Sequence, residues 1–280
     1  MTAKETSIIE TTAKLIAETR DSHWESHHQS PSIEVLSETL RLISEVIFPE
    51  YLLECRGEVL SHKTVINLER IYSLMNDQIC KAMTIKGEQH ILSSTESITR
   101  TFIESLSDIK HLLTTDVEAI FKADPAARSY DEVVLCYPSI TAMLHHRTAH
   151  SLHKLGVPII PRVISEIAHS KTGIDIHPGA TIASHFAIDH GTGVVIGETT
   201  IIGKGVVIYQ GVTLGARGFR FDENGNALNV PRHPIIEDNV RIYSNSSILG
   251  CITIGHDSII GGNMWIDKDV EPHSCIVRER

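Results

Sequence analysis

The chain has 280 residues, 41% of them hydrophobic and 21% charged, and its 25 Lys and Arg against 35 Asp and Glu leave a net charge of −10. That balance excludes a nucleic-acid surface built on bulk positive charge, and no apolar run approaches the roughly 18 residues of a membrane-spanning helix. Residues 1–6 lack the apolar core of a signal peptide, so the expected location is cytoplasmic. Five cysteines, Cys55, Cys80, Cys136, Cys251 and Cys275, are scattered without a C-x-x-C pair. This argues against a disulfide framework or a thiolate metal site and for reduced, mostly buried thiols.

Glycine divides the chain, since only Gly57, Gly87 and Gly156 of the 18 precede Gly173. In the first part apolar residues recur at helical spacing: Ile33, Leu36, Leu40, Ile43 and Ile47, then Leu68, Ile71, Met75 and Ile79, then Ile98, Phe102, Leu106, Ile109 and Leu113. Each set is the stripe of an amphipathic helix. Thr115 with Glu118 reads as a capping box opening a short helix, which stops at Asp124-Pro125 because the residue before proline disfavours the α region. A further helix is expected over about 139–155, ended by Gly156 with Pro158 beyond it, and another over about 161–171 with Pro161 in its first turn. Residues 1–172 thus read as an α-helical domain.

From Ile176 onward an aliphatic residue recurs every six positions, at Ile176, Ile182, Ile188, Ile196, Ile202, Ile208, Leu214, Ile236, Ile242, Ile248, Ile254, Ile260 and Ile266. Small or β-branched residues follow four positions later in many repeats (Ala180, Val206, Val212, Val240, Ser246, Ser258). This is the hexapeptide signature of a parallel β-helix, in which three hexapeptides close one triangular coil and the inward aliphatics stack from coil to coil. The longer step from Ile188 to Ile196 predicts a two-residue bulge, and that from Leu214 to Ile236 an extruded loop over 216–234. The expected fold is α+β: an N-terminal α-helical bundle, then a left-handed parallel β-helix of hexapeptide repeats over 173–280.

Departures from a repeat mark function, because the scaffold does not need them. Three carry titratable groups: Asp175-Ile176-His177-Pro178, Asp189-His190-Gly191 at the bulge, and Arg232-His233-Pro234 closing the loop. Histidine is the side chain matched to general-base work near neutral pH, and a carboxylate on its other nitrogen orients it. His190 with an aspartate partner meets that description.

On these residues the chain resembles the serine acetyltransferases, hexapeptide-repeat acyltransferases that begin cysteine biosynthesis. The likeness is carried by Asp124-Pro125, His146-Arg147-Thr148-Ala149-His150, Asp175-Ile176-His177-Pro178-Gly179-Ala180, Asp189-His190, Gly193, Gly197-Glu198-Thr199, Val212-Thr213-Leu214-Gly215 and Arg232-His233-Pro234. The resemblance implies transfer of the acetyl group of acetyl-CoA, a co-substrate, to the hydroxyl of L-serine, with no metal. It makes His190 the base, Asp175 its carboxylate partner, Asp124 and Asp189 the acids for the substrate ammonium, Arg232 the group for its carboxylate, and His233 a second active-site histidine near the hydroxyl or developing oxyanion. By position, Gly215, Ala216, Ser244 and Gly262 contact CoA, although Tyr243 stands where better-known members have glycine and Ile259 where some have lysine. Arg217, Arg241 or Lys268 could compensate at the CoA phosphates, although each reads first as a solvated surface charge.

The resemblance also implies a homo-oligomer, a trimer or dimer of trimers joined through the helical region, and L-cysteine as a feedback inhibitor in the serine pocket. It implies no nucleic-acid or membrane partner. The sequence stops at Arg280 without the isoleucine-ended tail that docks many members onto O-acetylserine sulfhydrylase, which argues against that complex. The rival reading is a zinc enzyme on the same scaffold, like the γ-type carbonic anhydrases, in which His185 and His190 form an H-x4-H pair. The loop over 218–231, with Phe219, Arg220, Asn224 and Asn226, reads as a flap over the site, with a plain surface insertion as the alternative, since repeat arrays tolerate loops on one face.

Overall fold

The computed structural model describes residues 3–18, 30–53, 57–86, 91–218, 221–223, 225, 228 and 230–278. Cys55, Phe219, Arg220, Asn224 and Asn226 lie outside them. Residues 1–30 form one unit, containing helix α1 (Ala3–Glu18), and residues 31–280 form a second that holds all the elements discussed below.

The helical part of this second unit comprises α2 (Ile33–Ile47), α3 (Pro49–Leu52), α4 (Glu58–Lys86), α5 (Ile91–Ala123), α6 (Tyr130–Cys136), α7 (Pro138–Lys154) and α8 (Ile160–Thr172). The predicted stripes are the buried faces: Leu36, Leu40, Ile43 and Ile47 of α2 meet Ile71, Met75 and Ile79 of α4 and Phe102, Leu106, Ile109 and Leu113 of α5 in one core. Ser32 caps α2, accepting the Val35 N–H at 3.3 Å, while its own N–H donates to Gln78 Oε1 of α4 at 2.6 Å. Pro161 sits in the first turn of α8 as expected, and Gly173 ends that helix in the left-handed region with its N–H on His169 O.

The expected capping box at Thr115 is absent. Thr115 opens no helix; α5 runs through it without a break. Its hydroxyl donates to Leu112 O at 2.7 Å and accepts the His185 N–H at 3.0 Å, so the group read as a cap instead fastens α5 to the β-helix. The capping geometry belongs to α6, where Ser129 accepts from Glu132 N and Glu132 Oε2 accepts from Arg128 N.

The rest is a β-helix of short strands: β1 (Asp175–Ile176), β2 (Thr181–Ile182), β3 (Ala187–Asp189), β4 (Val195–Ile196), β5 (Ile201–Ile202), β6 (Val207–Tyr209), β7 (Thr213–Gly215), β8 (Ile235–Ile236), β9 (Arg241–Ile242), β10 (Ser247–Leu249), β11 (Thr253–Ile254), β12 (Ile259–Ile260), β13 (Trp265–Ile266) and β14 (Cys275–Ile276). Every third strand up to β13 pairs in parallel, giving a first face β1-β4-β7-β10-β13, a second β2-β5-β8-β11 and a third β3-β6-β9-β12-β14. This is the left-handed β-helix expected from the repeat, with about five turns. The repeat aliphatics line its interior, from Ile176 to Ile260, at 7% exposure or less. Ser246, polar and fully buried, is satisfied by donating to Gly261 O at 2.7 Å and accepting from Met264 N at 3.1 Å.

Helix and β-helix are joined by a buried ion pair. Arg147 of α7 holds both carboxylate oxygens of Asp116 on α5, at 2.7 and 2.8 Å, and donates onward to Ile182 O and Ala183 O; Asp116 also accepts the Phe186 N–H. All five guanidinium donors cannot be hydrated there, so a bidentate partner and coil carbonyls replace water. The thiols depart from expectation: Cys136, Cys251 and Cys275 are exposed and Cys80 is half-buried.

Candidate active site

Each coil turns at three corners, and the predicted residues divide between two of them. At the corner from third to first face, where β3 leads into β4, stand Asp189 and His190. Here the predicted bulge is present: His190 (φ 57°) and Gly191 (φ 89°) are the extra residues, both in the left-handed region. A Cβ on Gly191 would meet Ile174 Cδ1 at 2.6 Å, so the bulge needs glycine. It lifts the His190 side chain to 70% exposure, whereas that of Asp189, with Oδ1 3.8 Å from His190 Nδ1, is 14% exposed.

Asp124, at the end of α5, faces the same corner. Its Oδ2 accepts the Tyr137 hydroxyl and its Oδ1 the Ala126 N–H at 2.8 Å. These bonds, Tyr137 first, hold its carboxyl below the ordinary value, with His190 adding a smaller pull in the same direction. The Tyr137 hydroxyl is pushed up to about 12, chiefly by Asp124, so it stays a donor. Ser244 and Gly262 stack at this corner too; a Cβ on Gly262 would lie 3.3 Å from Ser244 O, which keeps the wall shallow. Beside them Tyr243 stacks on Tyr209 with centroids 4.9 Å apart and planes 6° apart.

The other corner, from first to second face, carries Gly215 and Ala216, the loop over 216–234 and, closing it, Arg232 and His233. The Arg232 guanidinium pairs with Glu198 Oε2, while its Nε is buried without a partner among the described residues. Burial alone would raise the Glu198 carboxyl, but the bond from Arg232 and the charges of His177 and Arg232 take it below its ordinary value. His233 lies flat on Gly197, where a Cβ would come 2.1 Å from its Cδ2. Thr199 meets it from the side: its hydroxyl lies 2.8 Å and its N–H nitrogen 3.1 Å from His233 Nδ1. Burial, then the Arg232 charge, lowers the affinity of His233 for a proton, with Glu198 opposing.

Asp175 opens β1 on the face between these corners, paired in register with Val195. Its carboxylate clusters with Glu166 and His169 of α8, their ligand atoms all within 4.8 Å, and among the described residues no hydrogen bond or ion pair joins it to His190. His185, the other half of the H-x4-H pair, sits at the remaining corner with Nε2 3.8 Å from Glu118 of α5. The two histidines therefore turn to different corners, and Arg217, one candidate for CoA phosphate, pairs with Asp267 at 3.3 Å. The loop's described residues wall a cavity of about 300 Å³ with Leu249, Gly250, Cys251 and Ile252.

Sequence reasoning assigned no role to Tyr137, Glu198, Thr199 or His177. Glu198 and Thr199 lay within the motif Gly197-Glu198-Thr199 and could have been found there; Tyr137 carries no periodic signal, since it reaches Asp124 only because α6 folds back between them.

No family model matches the chain. It is 44% identical over 261 residues to the plasmid serine acetyltransferase of Synechococcus elongatus, covering 88% of this chain and 81% of that protein. The crystal structure of serine acetyltransferase 1 of Entamoeba histolytica in complex with L-cysteine superposes with a TM-score of 0.76 at 33% identity over 94% of each chain. Isoform 3 from the same organism, in complex with cysteine, gives 0.75 at 31% identity over 98% of this chain and 94% of that one. Identity of this extent, with the same helices-then-solenoid architecture, makes the chain a member of the serine acetyltransferase family, the acyltransferases that move the acetyl group of acetyl-CoA onto the hydroxyl of L-serine.

Proposed function

We propose that this chain acetylates serine at a junction of two copies, where the Asp124–Asp189–His190 corner of one meets the Arg232–His233 corner of the next. The observation behind this reading is the division of complementary groups between corners. L-serine carries ammonium and carboxylate on one carbon, and it cannot reach acids at one corner of a prism and a guanidinium at another. Two prisms side by side bring unlike corners together, and a trimer closes three such junctions. The CoA contacts divide in the same way, Ser244 and Gly262 on one side, Gly215 and Ala216 on the other. Residues 1–172 would serve as the oligomerisation domain that joins two trimers, and 173–280 as the catalytic domain.

In the reaction, Asp124 and Asp189 take the ammonium and Arg232 the carboxylate, which leaves the hydroxyl facing His190. A serine hydroxyl is too weak an acid to attack a thioester unaided, so His190 removes its proton as the C–O bond forms. Asp175, on the face between the corners, would steady the resulting imidazolium. The tetrahedral oxyanion collapses, the C–S bond breaks, and the CoA sulfur leaves with the proton from His190. L-cysteine differs from serine by sulfur for oxygen, so the same groups would hold it, as the complexes of the E. histolytica enzymes suggest.

Release of CoA thiol that depends on L-serine tests the activity, and His190→Ala should lower its kcat by about 10²- to 10⁴-fold with the fold intact. An unchanged rate would remove His190 from the base role. For the shared site, His190→Ala and Arg232→Ala chains are co-assembled. Each alone is expected to be nearly inactive, while mixed oligomers regain part of wild-type activity because some junctions carry two intact corners. Mixed oligomers that form and stay inactive would overturn the junction.

A further inference from the structure

We infer that Thr199 is a positioning residue that holds His233 as a neutral imidazole with its proton on Nε2, so that His233 donates a hydrogen bond to the reacting oxygen and takes no part in proton abstraction. This rests on the reading that places His233 in the active site, and it follows from counting protons.

The Thr199 hydroxyl receives two backbone N–H groups, from Arg232 at 3.0 Å and from His233 at 3.1 Å. Both of its lone pairs are then engaged, and its single hydrogen is left for the atom 2.8 Å away, His233 Nδ1. The Thr199 N–H points at the same nitrogen from 3.1 Å. A peptide N–H can never accept, so a hydrogen on Nδ1 would face one fixed donor and displace another. Both the Nδ1–H tautomer and the imidazolium are thereby disfavoured, and the remaining form has Nδ1 bare and Nε2 protonated. Burial and the neighbouring Arg232 charge act in the same direction.

Turning the ring over in its plane would set a C–H against both Thr199 donors and leave them unpaired. Gly197 lies beneath it with no room for a Cβ, and the Pro231-Arg232-His233-Pro234 segment is tied down through the Thr199 hydroxyl itself. One side chain thus fixes the loop segment carrying Arg232, the plane of the imidazole and its tautomer. The only ring nitrogen left for substrate is Nε2, and it has a hydrogen to give and no lone pair. A donor aimed at an oxygen that gains charge favours the transition state over the bound substrate. The two active-site histidines then divide the work, His190 accepting a proton and His233 donating a hydrogen bond.

The test compares wild type with Thr199→Val, which keeps size and N–H but loses the hydroxyl, and Thr199→Ser, which restores it. Imidazole ¹⁵N shifts of His233 report the tautomer. Wild type and Thr199→Ser should show bare Nδ1 and protonated Nε2 through neutral pH. Thr199→Val should show a mixture, with kcat for serine about tenfold lower, less than the roughly 10²-fold cost of losing an oxyanion donor outright. A wild-type His233 that carries its proton on Nδ1, or is doubly protonated at neutral pH, overturns the inference whether or not the valine variant folds. So does a folded Thr199→Val with the wild-type tautomer and rate. A His233→Ala enzyme with unchanged turnover would instead overturn the role of His233, and the tautomer would still stand or fall by itself.

Discussion

The helices of residues 33–172 are held by individual fit and the β-helix by repetition. In the helices each buried side chain meets different neighbours: Phe102, Met75, Ile120 and Met143 fill gaps of different shape, and polar groups such as His145, His146, Asp116 and Arg147 are enclosed among them. In the β-helix one position is used over and over, so that Ile182, Ile202, Ile236 and Ile254 form a single column up the second face. Irregularity is costly in the second design and ordinary in the first. That is why the buried ion pair Asp116–Arg147 and the buried His145 and His146 lie in the helices, whereas Asp189, His190, Arg232 and His233 lie where the repeat is broken.

The sharpest way to break this comparison is at the ion pair joining the two regions. Arg147→Ala leaves the Asp116 carboxylate buried and unpaired and should cost about 3–5 kcal/mol, seen as a fall in urea midpoint; a loss below about 1 kcal/mol would mean the regions hold together without it. Ile208→Ala, in a middle coil, should cost about 2–5 kcal/mol through its cavity. The same change at Ile260, with fewer coils above it, should give a smaller loss, and equal losses would contradict stacking as the source of stability.

Acid should act on the helices first. Burial pushes His145 down to about 4 and His146 well below its ordinary 6.5. The unfolded chain therefore binds protons below pH 6.5 that the folded chain refuses. Stability is whole above that pH and should fall by about 1.4 kcal/mol per histidine for each pH unit below it, until the folded groups titrate. His145→Gln should flatten the profile between pH 6 and about 4.5, and an unchanged slope would place the acid sensitivity elsewhere. Smaller still, Tyr137→Phe removes a hydrogen bond to a charged Asp124 and should raise KM for serine by about tenfold with kcat nearly kept. A change confined to kcat would mean that Asp124 does not hold the substrate.

Both designs were legible in the sequence to different depths. The column of aliphatics fixes strand, face and coil together, so the bulge after Ile188 and the loop after Leu214 could be read as interruptions before any coordinates. Helical stripes give burial but not length or partner, which is why Thr115, polar on a buried face, reads as a cap in sequence although its hydroxyl is used across to His185. At the site, the resemblance supplied His190, Asp189, Asp124, Arg232 and His233. What it could not supply is which corner each occupies, because that depends on counting strands through the two irregular steps. Nor could it supply the groups that aim them, Tyr137 and Thr199, whose contacts span 13 and 34 residues.

The β-helix has two unlike ends. Its first coil is closed by α5, α7 and α8, which pack on β1 and β3; at its last coil β13 and β14 are the terminal strands of their faces among the described residues, and β11 is bridged by Val270. An uncovered strand edge is a template for another chain, and a stack open at both ends could lengthen without limit into a fibre. With helices packed over the first coil, addition of another chain at that end is blocked. The helices therefore do more than support the first coil: they keep the edges of β1 and β3 from serving as a template for another chain.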